Sequence, residues 1–266
     1  MSKKTVGEFL NPRTCIICDL PTGDTFFRKS ELLRLGYLQT RAANTQMSFI
    51  NKNICRHCLA KLPIIFPFNS WQDEQSNISI KALFQYEDPI NRLISNLKFK
   101  HRKSLALCFA HLMYFIWQPF WFAKKEHLLV PMPLGKKRLA ERGYNQSAEI
   151  AKHLSSLSQI PYLDDLLIRK KETLPQTETK NRSERLANLR DAFQISKDKY
   201  NINQILSSDH NQIILLDDIT TTGTTLSEAA RPLRELGFTV SSVVIATEHN
   251  FTDQVNKDGK IIYQRV

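Results

Sequence analysis

The sequence predicts an α/β fold with a largely parallel sheet, preceded by a small metal-binding module. Three observations carry this. Apolar runs of strand length alternate with helical patterns along most of the chain. One of those runs ends in two acids, a Thr-rich turn with a Gly, and the start of a helix. Near the N-terminus, four of the five Cys fall into two C-x₂-C pairs.

The pairs are Cys15 with Cys18 and Cys55 with Cys58. This spacing lets two thiolates meet one tetrahedral Zn²⁺. The stretch between the pairs is longer than in the commonest zinc ribbons, but long loops are cheap to close. Two disulfides or a redox pair are the alternatives. Disulfides do not suit a reducing compartment, and two copies in one short segment favour metal. Four Cys ligands leave no open position for water, so the site is expected to be structural. So small a module buries little core, and ligation would supply on the order of 10 kcal/mol of its folding energy. His57 is an alternative ligand, but its place between two ligands points it outward. Cys108, in an apolar segment, is expected to be a core residue.

Residues 62–68, with Pro63 and Pro67, read as a linker. They divide the chain into a zinc module, 1–68, and a main domain, 69–266. There, Ile78 to Tyr86 alternates like a strand, and Asp88-Pro89 opens a helix over Ile90 to Leu97. A second helix follows the basic run Lys98 to Lys103. Further expectations are a strand over His127 to Met132, a helix over Glu141 to Leu157 and a short strand over Asp164 to Ile168. Lys170 to Asn188 is polar and lacks a pattern, so it reads as a mobile loop. A buried strand over Gln212 to Leu216, a helix over Thr225 to Gly237 and a strand over Val240 to Thr247 complete the series. Gly237 fits a helix C-cap.

The chain has 37 Lys plus Arg against 26 Asp plus Glu, a net charge of +11. That excess favours anionic partners such as nucleic acid or phosphorylated metabolites. Met1 to Leu10 lacks the apolar centre of a signal peptide. Leu105 to Ala123 is apolar, but His111, Gln118 and Pro119 interrupt it. The part before Pro119 is shorter than the ~20 residues a spanning helix needs. It reads as a core helix, and the chain as a cytoplasmic protein without membrane insertion.

The run Ile213-Ile214-Leu215-Leu216-Asp217-Asp218-Ile219-Thr220-Thr221-Thr222-Gly223-Thr224-Thr225 carries the sharpest chemistry. In open α/β sheets, ligands sit beyond the C-terminal strand ends. A helix start offers free N–H groups and a positive dipole end, which suits phosphate. Gly223 allows close backbone approach. The hydroxyls of Thr221, Thr222, Thr224 and Thr225 add donors. Carboxylates at Asp217 and Asp218 would repel phosphate but accept strongly from sugar hydroxyls. Phosphate at one end and a diol at the other describes a ribose 5-phosphate. A P-loop needs G-x-x-x-x-G-K-[ST], and a dinucleotide fingerprint needs three spaced glycines; neither is present. The plain structural alternative has the acids capping the helix and the Thr residues filling a turn.

This run resembles the motif by which type I phosphoribosyltransferases bind phosphoribosyl pyrophosphate (PRPP). Further tracts narrow the likeness: Leu97-Lys98-Phe99, Val130-Pro131-Met132-Pro133-Leu134, Arg138, Glu141-Arg142-Gly143-Tyr144-Asn145-Gln146, and Arg185-Leu186-Ala187-Asn188-Leu189-Arg190-Asp191-Ala192-Phe193. With the four-Cys module, they resemble the competence protein F (ComF) family over nearly the whole chain. The resemblance implies a type I phosphoribosyltransferase-like sheet flanked by helices. It implies PRPP bound with Mg²⁺, and a pyrophosphate loop over Pro131 to Lys136 that includes Pro133 and Lys136. It also implies a covering loop over Arg169 to Arg190, where Arg185 is the best candidate to reach pyrophosphate. Arg142 to Gln146 match a family motif without an assignable role; Tyr144 and Asn145 are candidates for packing the loop. Phe193 is expected in the core.

The resemblance associates the chain with DNA uptake in natural transformation and with other competence proteins. No residue stands out as a general base, and no acceptor pocket is legible. Three functions stay open: a phosphoribosyltransferase, a single-stranded-DNA-binding competence factor using the Lys98 to Lys103 run, and a PRPP sensor without turnover.

Overall fold

A computed structural model of the chain describes residues 14–20, 53–65, 70–73, 78–117, 127–170, 191–196, 200, 202–206, 211–248, 251–255 and 261–265. The chain splits into two compact units, Met1–Leu62 and Pro63–Val266.

In the first unit the chain reverses over Cys15 to Leu20. The Asp19 amide donates to the Cys15 carbonyl (2.8 Å), and the Cys15 amide to the Leu20 carbonyl (2.7 Å). The Ile16 amide donates to the Asn53 carbonyl at 2.9 Å, which joins this turn to the second Cys pair. There α1 (Arg56–Ala60) starts behind Cys55 as its N-cap. The buried apolar residues described are few: Cys15, Ile17, Ile54, Cys58, Leu59 and Leu62.

The second unit contains, in order, β1 (Ser70–Asp73), β2 (Ile78–Gln85), α2 (Ile90–Phe99), α3 (Ser104–Trp117), β3 (His127–Pro131), α4 (Lys136–Arg142) and α5 (Gln146–Ser158). These are followed by β4 (Leu167–Arg169), β5 (Phe193–Ile195), α6 (Ile202–Leu206), β6 (Gln212–Thr220), α7 (Thr224–Glu235), β7 (Thr239–Thr247), β8 (Phe251–Val255) and β9 (Ile261–Arg265). The main sheet has the order β1-β2-β7-β6-β3. β2, β7, β6 and β3 run parallel, and β1 joins the edge antiparallel. β4 with β5, and β8 with β9, form separate antiparallel pairs. The expected α/β class, a mostly parallel sheet with helices flanking it, is what the chain forms.

β6 is paired at both edges, by β3 and β7, and helices α5 and α7 pack on it, so Ile213 to Leu216 is apolar throughout and buried. Ile213 and Leu215 face the core that also holds Val130, Leu128, Val240 and Val244, with Leu226, Ala229, Ala230 and Leu233 of α7. Alternation turns Ile214 and Leu216 to the other face, where α5 packs on β3 and β6. α7 ends as expected: Gly237 (φ 97°) donates to the Arg234 carbonyl at 2.8 Å and Phe238 to that of Leu233 at 3.2 Å. Cys108 and Phe193 are buried, as expected. Among the described residues no helix is long and apolar enough to cross a membrane.

Four expectations need revision. The short strand expected over Asp164 to Ile168 is β4, Leu167–Arg169, because the chain still turns over 164–166. The helix over 141–157 is two helices. Gly143, at φ 71°, ends α4 with its amide on the Leu139 carbonyl, and Asn145 starts α5 as N-cap. β6 does not stop at Leu216 but continues through Asp217 and Asp218 to Thr220, because its pairing to β7 persists as far as Thr247. Residues 63–65 are not free linker: Ile65 donates to the Leu83 carbonyl and Gln85 to that of Pro63, both at 2.9 Å. The polar stretch 171–190, with Arg185, and residues 118–126, with Pro119, lie outside the described residues.

Candidate functional site

The parallel strands deliver their C-terminal ends to one edge of the sheet, where a doubly wound fold places its ligands. β3 passes through residues 132–135 into α4. β6 passes through residues 221–223 into α7.

The second crossing is the Thr-rich turn. Gly223 has φ 84°, a left-handed conformation that a side chain would strain. Its amide donates to the Thr220 hydroxyl at 3.1 Å, and its carbonyl accepts from Ser227 at 2.9 Å. The Thr222 and Thr224 hydroxyl oxygens lie 2.8 Å apart. No side chain caps the start of α7. Among the described residues the amides of Thr221, Thr222 and Thr224 meet no backbone carbonyl. Thr222 is exposed, and Thr221, Thr224 and Thr225 are half-buried. The turn is therefore held from beneath by Thr220, with donors left at a helix N-terminus. Thr220 escaped the sequence reading, and its signal was the hydroxyl three residues before Gly223.

The acids do not stand open side by side. Asp218 is 4% exposed and bonded through both oxygens: Oδ1 lies 2.9 Å from Lys98 Nζ, and Oδ2 accepts from Gln146 Nε2 at 2.6 Å. Asp217 is half-buried; its Oδ1 accepts from the Ser147 hydroxyl (3.0 Å) and from the Asp218 amide (2.9 Å). Burial, and then the adjacent Asp218 charge, push the Asp217 carboxyl up to about 7, against the weaker opposite pull of the Asp218 amide, Lys98 and the Ser147 hydroxyl.

The tract 144–147 has roles the sequence did not disclose. The Tyr144 hydroxyl donates to the Leu97 carbonyl at the end of α2. Asn145 Oδ1 caps α5 through the amides of Ser147 (3.0 Å) and Ala148 (3.4 Å), while its Nδ2 donates to the Met132 carbonyl at 2.9 Å. Gln146 and Ser147 then reach the two acids. Four consecutive residues thus tie α2, the end of β3 and β6 together.

The basic run beginning at Lys98 is not simply a solvated stripe. Lys98 is turned inward onto Asp218, because a buried carboxylate needs a cation. Lys103 lies 3.5 Å from Glu149 and 4.8 Å from the Tyr144 ring centroid. Phe99 is 65% exposed, with the Arg142 guanidinium 5.1 Å from its ring centroid. Pro133 is half-buried in the turn after β3; Lys136 and Lys137 are exposed and Arg138 half-buried at the start of α4, whose N-cap, Gly135, offers no side chain.

In the first unit, one sulfur from each of Cys15, Cys18, Cys55 and Cys58 lies within 4.8 Å of the others, a cluster that could hold a metal ion such as zinc. None of the four is in a disulfide. Cys18 and Cys55 sulfurs are 3.8 Å apart, and the Cys55 amide donates to the Cys15 sulfur at 3.3 Å. Burial works against the Cys15 thiolate, but amides from Cys55, Cys18 and Ile17 outweigh it and lower its proton affinity. Burial and the neighbouring sulfurs drive Cys58 strongly upward. Four sulfurs this close cannot all ionise without a cation among them, which is the donor set a soft divalent metal takes. His57 is exposed, as expected.

No family model matches the chain. Among curated proteins, competence protein F of Haemophilus influenzae is 30% identical over 69% of this chain and 79% of its own. Competence protein ComFC of Bacillus subtilis is 31% identical over 87% of this chain and 92% of its own. The DNA utilization protein YhgH of Escherichia coli K12 is 26% identical over 69% and 72%. Among solved structures, orotate phosphoribosyltransferase from Aeropyrum pernix aligns at 15% identity over 67% of this chain and 73% of its own, with a TM-score of 0.28. At these levels of identity and coverage to two of its members, the chain belongs to the competence protein F (ComF) family.

Proposed function

We propose that this protein binds PRPP, with Mg²⁺, at the C-terminal edge of its sheet and acts in the uptake and handling of DNA, with zinc held by Cys15, Cys18, Cys55 and Cys58. One observation carries the PRPP reading: two acids at the end of β6 lead directly into the Gly223 turn and an uncapped helix start. The turn offers donors for the 5-phosphate, and the acid pair, through the Asp217 carboxylate, offers an acceptor for ribose hydroxyls. Lys136 and Arg138, at the start of α4, are cations for the pyrophosphate, with Arg185 as a further candidate. Mg²⁺ bound with PRPP supplies charge neutralisation at the leaving pyrophosphate. The protein's own contribution is to orient the sugar and to favour positive charge developing at its anomeric carbon.

The DNA role rests on the relatives named competence and DNA utilization proteins, on the net charge of +11 and on an exposed aromatic, Phe99, among cations. It leaves two versions of the PRPP site, one that turns PRPP over and one that senses it.

Titration calorimetry of the full chain with PRPP and Mg²⁺ tests the reading. Saturable binding in the wild type, abolished in Asp217→Asn/Asp218→Asn, supports it; unchanged affinity in the double variant defeats it. Pyrophosphate release, assayed alone and with candidate acceptors, separates turnover from sensing. A salt-dependent shift of single-stranded DNA tests the nucleic-acid contact.

A further inference from the structure

We propose that the two adjacent acids do different jobs: Asp217 accepts from the sugar hydroxyls, whereas Asp218, clamped between Lys98 and Gln146, is a positioning residue that sets the charge on Asp217. This rests on the reading that a ribose phosphate occupies the site. Sequence alone makes the two carboxylates equivalent. Their surroundings do not.

Asp218 has no carboxylate oxygen left without a protein partner. Lys98 Nζ holds Oδ1 at 2.9 Å and Gln146 Nε2 holds Oδ2 at 2.6 Å, with 4% of the residue exposed. A ligand hydroxyl reaching it would have to displace a buried ion pair or a buried amide. Gln146 is turned by this contact so that its Oε1 is buried with no partner, the arrangement of a side chain placed to serve Asp218. Asp217 differs. Both donors it receives, from Ser147 and from the Asp218 amide, fall on Oδ1. Its Oδ2 meets no donor among the described residues, so an acceptor site remains on the half-buried residue beside the Thr turn.

The clamp also controls charge. The charged groups acting on Asp217 are Asp218, which raises its proton affinity, and Lys98, which lowers it; Arg142 acts on Asp218 from α4. A diol is held best by an ionised acceptor. Burial raises Asp217 most, and the placement of Asp218 and Lys98 beside it then shifts the pH at which the sugar is gripped.

The test uses the full chain and two readouts. Carboxyl ¹³C NMR follows the titration of Asp217 in the free protein, and calorimetry follows PRPP with Mg²⁺. Asp217→Asn should weaken PRPP by about 10- to 100-fold, the range for a hydrogen bond to a charged group, without lowering the melting temperature. Asp218→Asn should move the Asp217 midpoint to lower pH, and Lys98→Met should move it to higher pH, with Lys98→Arg close to wild type. Lys98→Met carries the test alone should Asp218→Asn not fold. A purely structural Asp218 would lower the melting temperature and leave the midpoint in place, which overturns the division. So does intact affinity in Asp217→Asn beside lost affinity in a folded Asp218→Asn. Absence of PRPP binding in the wild type would instead reject the ligand and with it the role of Asp217; the opposite NMR shifts would then still establish the clamp.

Discussion

Gln146 Nε2 lies 2.6 Å from Asp218 Oδ2, across 72 residues of chain. That contact gives the tract from Tyr144 to Ser147 its meaning. Tyr144 reaches the end of α2, Asn145 the end of β3, and Gln146 and Ser147 the end of β6. The tract is short and irregular, yet it connects three elements that converge on the same sheet edge.

Asn145 is the member whose loss should cost most in stability. Its Oδ1 caps α5 and its Nδ2 satisfies the Met132 carbonyl. Asn145→Ala should destabilise the protein by about 2–3 kcal/mol: about 1–2 for the cap and about 1 for the second bond. Asn145→Asp keeps the cap and loses only the donor, so it should fall between the two. Urea unfolding of the three proteins checks the order. Equal stability of Asn145→Ala and wild type would contradict both bonds.

At Gly223 the backbone stands at φ 84°. Gly223→Ala should cost about 1–2 kcal/mol for a left-handed residue with a side chain. It should also place a methyl group at the turn proposed for phosphate. Thermal melts should show a modest loss, and PRPP affinity should fall more steeply than stability does. A variant that binds as well as wild type would remove the turn from the proposed site.

The pH dependence of stability carries a sign set by Asp217. Its carboxyl is raised from 3.8 to about 7. Between these values the folded protein holds a proton that the unfolded chain has released. The associated stability is complete below about pH 4 and is lost as pH climbs through 7. Asp217→Asn removes this dependence, so the variant should gain on wild type across that window, by about 1–3 kcal/mol for a half-buried group. Urea midpoints at pH 5 and pH 8 measure it; a gap that narrows with rising pH would refute the assignment.

The parallel strands of the main sheet, the acid pair and the Cys pairs were legible because each is a local pattern; the short antiparallel strands β1, β5, β8 and β9 were not. Ile213 to Leu216 is apolar enough for the sheet interior, and C-x₂-C is its own spacing signal. What stayed hidden was long-range. Lys98 reads as one cation in a basic run until Asp218 is seen beside it. Gln146 and Ser147 read as ordinary polar residues inside one longer helix. The break at Gly143 to Asn145 was masked because Ile150, Ala151 and Leu154 keep a helical phase, although a Gly followed two residues later by an Asn is a stop and a cap. The family resemblance marked this tract without giving it a role; that had to come from its partners on other elements.

The four sulfurs of the first unit permit the strongest perturbation. Six apolar residues are buried there among those described, and a unit of about 60 residues is marginal without a metal or a disulfide. Ligation of zinc would provide on the order of 10 kcal/mol and would resolve the crowding of four ionisable thiols within 4.8 Å. Freshly purified protein should therefore contain about one zinc per chain, the stoichiometry of a single four-ligand site. A strong chelator, or Cys55→Ser, should make residues 1–62 sensitive to protease while the main transition of the second unit persists. Cys55 is the choice for substitution because it is both a candidate ligand and the N-cap of α1. Cys108→Ser, outside the cluster, should leave zinc content unchanged. Protein free of metal yet equally resistant to protease would show that the cysteines hold the segment by some other means.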